Sequence, residues 1–324
     1  MARVLCITLN PALDLAFNLD ALVLGSVNRP TSAQLEAAGK GVNVARVLAE
    51  LGHSVTVSGF LGSENDAPFA LAFKQLGLAD AFVRVPGSTR INAKLAEQGG
   101  RVTDINGPGM PIDATHLQTL IDTLDAELSS AKPPQAVVVA GSLPPGLSLD
   151  GFCQLLEHLN ASGVPPLWVD TSGPALNAAI DAHPAGIKPN ENELADWAGD
   201  TLDTTPARLA AAKRLHQSGI AHALVSAGAE GVLWVNAQGA WHATPPKVTA
   251  TNTVCAGDTF VAGMLHGLLN QHDPERTLRF ATALSAEAVR HVGVGNANAA
   301  DFDSLQQHTR IRRLDDSITE GATL

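Results

Sequence analysis

The sequence predicts an α/β protein in which a mostly parallel central sheet is covered by helices on both faces. Short apolar, often β-branched runs alternate along the chain with windows where apolar residues recur at i, i+3, i+4 and i+7. Those runs are continuously apolar rather than alternating, as strands covered on both faces must be. At 324 residues, 45% hydrophobic and 16% charged, the chain can build a large core and is too apolar to be disordered.

The first strand is expected over Val4–Leu9, and Asn10-Pro11 ends it. Leu15–Val27 alternates in the manner of a half-exposed antiparallel strand. Val44, Val47, Leu48 and Leu51 form a helical stripe, followed by a strand at Val55–Phe60 and a second stripe at Phe69, Ala72, Phe73 and Leu76. Ile91–Ala96 and Val102–Ile105 alternate again around Gly99-Gly100; with Leu15–Val27 they are expected to form a small separate sheet, a lid. Leu117, Leu120, Ile121, Leu124 and Leu128 mark a helix that exits at Ala131-Lys132-Pro133-Pro134 before a strand at Ala136–Ala140. Phe152, Leu155, Leu156 and Leu159 make the next stripe. Strands follow at Leu167–Asp170, Gly186–Lys188 and Ala223–Ser226, then a hairpin at Val232–Asn236 and Ala240–Ala243. Phe260, Met264, Gly267 and Leu268 define the last strong stripe. Arg310, Arg312, Arg313, Asp315 and Asp316 read as a solvated helix end. The length alone allows two domains, but no linker separates them. The expectation is one α/β unit over residues 1–324, with lid segments at about 14–30 and 88–107.

With 21 Lys and Arg against 32 Asp and Glu, the net charge is −11. No basic cluster offers a field for nucleic acid or an anionic membrane, so an anionic ligand must be held by a few local groups. Cys6, Cys153 and Cys255 are odd in number and far apart, with no CxxC spacing, which fits a reducing cytoplasm. The amino terminus carries a single early basic residue, and Asn10, Pro11 and Asp14 interrupt its apolar run, so it does not read as a signal peptide. No apolar stretch approaches the roughly 18–20 residues of a membrane span.

The chemistry concentrates after strand ends and at helix starts. Asn252-Thr253-Val254-Cys255-Ala256-Gly257-Asp258 opens the last helical stripe, and its small residues let backbone N–H groups converge on an anion. Asp258 there could accept a hydroxyl proton beside a transferring phosphoryl group, or simply cap the helix. Gly39-Lys40-Gly41-Val42-Asn43 opens another helix; it lacks the Walker A pattern, while Asn43 suits sugar hydroxyls. Asn190 and Glu193 lie three apart at a helix start, able to share a hydrated magnesium ion or to form a capping box. Ser226, Gly228 and Gly231 shape a turn that could admit a nucleotide. Asp14 follows the first strand, where open α/β sheets bind ligands. Arg90, Asn92 and Lys94 fall on one face by period-2 alternation, either a sugar-phosphate row or a solvated edge. Ser142 lies in the rigid Gly141-Ser142-Leu143-Pro144-Pro145-Gly146 loop.

In order along residues 1–300, these segments resemble the ribokinase-like PfkB sugar-kinase family. Gly39-Lys40-Gly41-x-Asn43, Asn190-x-x-Glu193 and the Ala256-Gly257-Asp258 segment carry the likeness. Thr8-Leu9-Asn10-Pro11-Ala12-x-Asp14 and the 141–146 loop are similar to its phosphosugar branch. Thr89-Arg90-Ile91-Asn92-x-Lys94 with Thr103-Asp104-x-Asn106 is most similar to the fructose-1-phosphate kinase (1-phosphofructokinase) branch. The resemblance implies ATP-dependent conversion of fructose 1-phosphate to fructose 1,6-bisphosphate, with kinases of fructose 6-phosphate or tagatose 6-phosphate as the nearest alternatives. Outside that class stands a non-catalytic phosphosugar sensor. Asp258 becomes the base, with Cys255, Ala256 and Gly257 as the anion hole. Asp14, Gly39, Lys40, Gly41, Asn43, Arg90, Asn92 and Ser142 face the phosphorylated ketohexose. Lys188, Asn190, Ser226, Gly228, Gly231, Thr253 and Gly257 face ATP. Asn190 and Glu193 hold Mg2+ through water, and the lid pairs two copies into a homodimer. Cys255 stands where the family usually has glycine. It is expected to be tolerated if its φ is negative, and to be thiol-reactive because a helix start lowers thiol pKa. The same helix start is expected to keep Asp258 a weak base.

Overall fold

The computed structural model describes residues 1–161 and 166–314. In chain order its strands are β1 (Arg3–Thr8), β2 (Ala12–Leu19), β3 (Ser32–Ala38), β4 (Ser54–Gly62), β5 (Ala79–Val85), β6 (Ile91–Glu97), β7 (Val102–Asn106), β8 (Ala136–Ala140), β9 (Leu167–Asp170), β10 (Gly186–Ile187), β11 (His222–Ser226), β12 (Val232–Asn236), β13 (Gly239–Thr244) and β14 (Arg310–Leu314). The helices are α1 (Lys40–Glu50), α2 (Ala67–Leu76), α3 (Ala114–Leu128), α4 (Leu149–Ala161), α5 (Pro174–Asp181), α6 (Glu191–Ala198), α7 (Thr205–Gln217), α8 (Ala256–Leu269), α9 (Pro274–Ala288) and α10 (Phe302–His308).

Ten strands form one sheet in the order β14-β13-β12-β11-β10-β9-β8-β1-β4-β5. From β11 to β5 every neighbouring pair is parallel, and β12 to β14 extend the edge antiparallel. The period-2 geometry of a strand sends alternate side chains of β1 into two separate cores. Val4 and Cys6 join Val44, Val47 and Leu48 of α1 and Phe260, Met264 and Leu265 of α8. Leu5 and Ile7 join Leu120 and Leu124 of α3, Leu155 and Leu156 of α4, and Leu209 and Leu215 of α7. The result is a three-layer arrangement with helices on both faces of the sheet, as the sequence predicts. Helix α8 is buried along nearly its whole length, so its first turn is held rigidly.

A second sheet, ordered β3-β2-β6-β7, stands apart from the first. It departs from the lid expected at 14–30 and 88–107. The strand read over Leu15–Val27 ends at Leu19, and its partner is β3, which the alternation pattern did not mark. Strand β2 begins four residues after β1 ends, and β3 ends two residues before α1. Both strands therefore run directly into the loops that carry Asn10 and Gly39. Arg310, Arg312 and Arg313 belong to edge strand β14, paired with β13, and not to a helix end; Asp315 and Asp316 lie outside the described residues.

Candidate active site

Most of the chemistry-bearing residues converge at the carboxyl ends of the parallel strands, where open α/β sheets bind their ligands. Asn10 follows β1, Ser142 follows β8, Asp170 closes β9, Lys188 follows β10 and Ser226 closes β11. The first turns of α1 and α8 face the same edge.

At α8, Asp258 is only 3% exposed, and its Oδ2 accepts a hydrogen bond from Asn43 Nδ2 at 2.8 Å. Burial and then the charge of Asp170 push this carboxyl up to about 7, against the opposing pull of Lys40, the Asn43 bond and Lys188. The sequence expectation of a weak base is thereby corrected: desolvation outweighs the helix start. The Ala256 N–H donates to the Thr253 carbonyl at 3.3 Å. Among the described residues the backbone N–H groups of Gly257 and Asp258 have no protein acceptor, as the first turn of a helix dictates. Thr253 itself is exposed. Cys255 is the N-cap with φ −92°, a conformation open to any residue. Burial, followed by the charge of Asp258, drives its thiol up to about 12, so the expected reactivity is reversed.

Gly39 and Gly41 bring α1 against β1. Gly39 adopts φ +134°, and a Cβ on Gly41 would meet the Thr8 hydroxyl and lie 2.8 Å from the Ile7 carbonyl oxygen. This closeness aims Lys40 and Asn43 into the site. Lys40 Nζ lies 3.3 Å from Asp170 Oδ1, and Lys188 Nζ lies 3.6 Å from the same oxygen. Asp170 is 2% exposed; burial alone would raise its pKa, but Lys188 and Lys40 more than offset that and hold it below the usual carboxylate range. A Cβ on Gly257 would sit 3.3 Å from Lys188 Nζ, which places that ammonium over the first turn of α8.

The small sheet presents a polar face. Asn92 Nδ2 donates to Asp14 Oδ1 at 3.0 Å, and Lys94 Nζ lies 3.6 Å from Asp14 Oδ2 and 3.1 Å from Asp104 Oδ1. Lys94, Asp14 and Arg46 all act electrostatically on the Cys255 thiol, so this face borders α8. Arg90 does not extend the row. It precedes β6, and its guanidinium turns back to donate to the Pro11, Gly107 and Asn10 carbonyls at 3.2, 3.0 and 2.9 Å. Each terminal nitrogen keeps one further N–H. Ser142 Oγ accepts from Asn10 Nδ2 at 3.2 Å, and that amide also reaches the Leu143 and Pro108 carbonyls. Ser142 therefore helps fix the loop through which the small sheet joins the large one.

Asn190 and Glu193 form a reciprocal capping box on α6: Glu193 N–H donates to Asn190 Oδ1, and Asn190 N–H donates to Glu193 Oε2, both at 2.8 Å. Glu193 Oε1 has no partner among the described residues, and Glu193 acts electrostatically on Lys40. No cluster of three or more metal-ligating side chains occurs among the described residues. A hard cation here would take one carboxylate and complete its shell with water and phosphate oxygens, the habit of magnesium. The Ser226 N–H donates to the Pro189 carbonyl at 3.1 Å, which joins the 188–193 and 226–231 loops. Gly228 opens a short 3-10 turn that ends at Glu230, which Arg208 grips through an ion pair, and Gly231 follows it. Among the described residues no side-chain hydrogen bond links this turn to Asp258; it occupies the neighbouring loop of the same edge.

Sequence reasoning placed Asp258, Asn43 and Lys40 together but passed over Asp170 and Asn10 as site residues. Asp170 carried one legible signal: an acidic residue ends an otherwise apolar strand, Leu167-Trp168-Val169-Asp170.

Among the described residues no helix is long and apolar enough to cross a membrane. The family model for pfkB family carbohydrate kinases matches residues 7–301. The chain is 45% identical over 312 residues to a Vibrio cholerae 1-phosphofructokinase, covering 96% of this chain and 97% of that one. It is 44% identical over 293 residues to an Escherichia coli 1-phosphofructokinase, covering 90% and 93%. Among solved structures, Escherichia coli phosphofructokinase-2 in complex with potassium superposes with TM-score 0.87 at 28% identity, over 95% of this chain and 99% of that one. A Thermotoga maritima ribokinase shares the fold at TM-score 0.74 and 19% identity, over 94% and 100%. A buried carboxylate at an open helix start, a lysine-lined strand edge and these likenesses lead to one conclusion: the chain belongs to the pfkB family of carbohydrate kinases, phosphotransferases that act on a sugar hydroxyl.

Proposed function

We propose that this kinase transfers the γ-phosphoryl group of ATP to the C6 hydroxyl of fructose 1-phosphate. The observation that carries the reading is Asp258: a buried carboxyl with a pKa of about 7, oriented by Asn43, beside unpartnered backbone N–H groups. In the reaction, the acceptor oxygen bonds to the γ-phosphorus as the bond to the bridging oxygen of ADP breaks, and the hydroxyl proton passes to Asp258. Phosphoryl transfer asks mainly for alignment and charge stabilisation. The 255–258 backbone and Lys188 supply positive potential at the transferring group.

The polar face of the small sheet and the first turn of α1 suit the phosphosugar, through Asp14, Asn92, Lys40 and Asn43, with Gly39 and Gly41 permitting close approach. The spare N–H groups of Arg90 and the Ser142 hydroxyl border that space. ATP suits the edge formed by Lys188, Asn190, Ser226, Gly228, Gly231 and Thr253. Mg2+ would be held by Glu193 and Asn190 through water; when bound it neutralises charge on the ATP phosphates. The choice of fructose 1-phosphate is supported by relatives named 1-phosphofructokinase at 44–45% identity over nearly the whole chain.

The reading treats residues 1–324 as one kinase unit with the small sheet as its lid. By register, Leu15, Phe17, Leu35, Ile91, Leu95 and Ile105 share the face opposite Asp14 and Lys94, and Leu35, Ile91 and Ile105 are exposed. An uncovered apolar sheet face of this kind suits a second copy, so the lid pairs two chains. Three free cysteines fit a reducing cytoplasm.

Release of ADP, coupled to an absorbance readout, tests the reading with ATP and fructose 1-phosphate, fructose 6-phosphate or tagatose 6-phosphate in turn. Highest kcat/KM with fructose 1-phosphate is the expected result. Preference for either 6-phosphate would reassign the substrate, and phosphosugar binding without turnover would make the protein a sensor.

A further inference from the structure

Asp170 is almost fully buried and ion-paired with two lysines from different parts of the chain, Lys40 at 3.3 Å and Lys188 at 3.6 Å. Stability does not account for such a group, because taking the Asp170 and Lys188 charges from water costs several kcal/mol each and a packed apolar pair would serve as well. Its place does: Asp170 closes β9 at the ligand edge of the sheet. Lys40 has a 40% exposed side chain and interacts with both Asp170 and Asp258. Lys188 lies over Gly257 in the first turn of α8. Without a carboxylate between them, the two ammonium groups would repel, and the exposed one would turn to solvent.

We propose that Asp170 is a positioning residue of the phosphoryl-transfer site, holding the Lys40 and Lys188 ammonium groups side by side at the first turn of α8 and presenting a fixed negative charge toward Asp258. The inference rests on the kinase reading above and deepens it. Asp258 is faced by Lys40 and Asn43 from α1, Asp170 from β9, Lys188 from the loop after β10, and Cys255 from its own helix start. Removing the Asp170 charge takes away the anion that opposes ionisation of Asp258 while Lys188, buried over Gly257, stays in place, so Asp258 gives up its proton more readily. Removing the Lys40 charge does the reverse. The two substitutions thus move one titration in opposite directions, which general loss of structure does not do.

The test is 13C NMR titration of aspartate side-chain carboxyls in the substrate-free full chain, with the Asp258 signal assigned by its loss in Asp258→Asn. Relative to wild type, Asp170→Asn should lower the Asp258 midpoint by roughly one pH unit and Lys40→Met should raise it. In the ADP-release assay the acid limb of the kcat/KM profile should follow the same two shifts, and Asp170→Glu should restore the wild-type midpoint. A midpoint unchanged in Asp170→Asn would overturn the proposal, whatever happens to its melting temperature. If Asp170→Asn does not fold, an unchanged midpoint in Lys40→Met would overturn it. A wild type with no turnover would sink the kinase reading alone, because the NMR titration needs no substrate.

Discussion

Replacing Arg90 by methionine should loosen the junction between the small sheet and the large one. The guanidinium donates to the carbonyls of Asn10, Pro11 and Gly107. A hydrogen bond from a charged donor contributes about 1.5–3 kcal/mol; because Arg90 is half-buried and water can replace part of each bond, about 1 kcal/mol apiece, or about 3 kcal/mol for the set, is a fair figure. Unfolding entropy of about 2.1 cal/mol/K per residue amounts to about 0.7 kcal/mol/K for 324 residues. The melting temperature of Arg90→Met should therefore fall by about 4 °C, and Arg90→Lys, which reaches one carbonyl at best, should recover about a third of it. Differential scanning calorimetry of the substrate-free protein measures this. The two remaining N–H groups predict a second effect: fructose 1-phosphate affinity weakened by about 1.5–3 kcal/mol, readable by isothermal titration calorimetry. A melting temperature within about 1 °C of wild type would refute the junction argument. Unchanged affinity would remove Arg90 from the substrate site.

Asp258→Asn should lower kcat by roughly 10²–10⁴-fold while ATP and phosphosugar still bind; near-normal turnover would dismiss Asp258 as the base. Because the deprotonated carboxylate is the active form and its pKa in the substrate-free protein is about 7, wild-type kcat/KM should rise with pH from 6 to 8, with its midpoint near 7; a flat profile across that range would contradict the burial argument. Cys255 should resist alkylation at pH 8, since a thiol pKa of about 12 leaves roughly a thousandfold less thiolate than an ordinary cysteine, and Cys255→Gly should stay within about tenfold of wild-type turnover because φ is already negative; peptide mass mapping and steady-state kinetics read the two. Gly41→Ala should abolish activity and lower yield, because its methyl group would collide with Thr8 and the Ile7 carbonyl; a fully active variant would show that α1 can move. Ile105→Lys, on the exposed apolar face of the small sheet, should shift the protein toward monomer in sedimentation velocity, and an unaltered distribution would place any dimer contact elsewhere.

The parallel sheet and its covering helices were legible because buried strands and amphipathic helices leave different hydrophobic periods. Strand β3 was not: Ser32-Ala33-Gln34-Leu35-Glu36-Ala37-Ala38 has no β-branched residue, and pairing with β2 overrides its composition. Edge strand β14 hid for the opposite reason, since its three arginines look like a solvated end and are also what an edge strand carries. Asp258, Asn43 and Lys40 announced themselves through small-residue helix starts. The proton affinity of Asp258 did not, because it depends on burial and on Asp170, far away in sequence. The Arg90 bonds were equally hidden, since two of the three carbonyls it finds lie about 80 residues upstream.

The Asn43–Asp258 bond spans 215 residues. At roughly 5–20 residues per second, a ribosome needs about 10–40 s to make the chain between them. Once β4 is made it can pair with β1, but the face of α1 that packs against α8 still has nothing to cover it. A nascent chain in this state leaves part of the apolar surface of α1 open to water until α8 emerges. A message truncated before codon 256 would therefore yield a sticky, inert fragment, and no partial kinase.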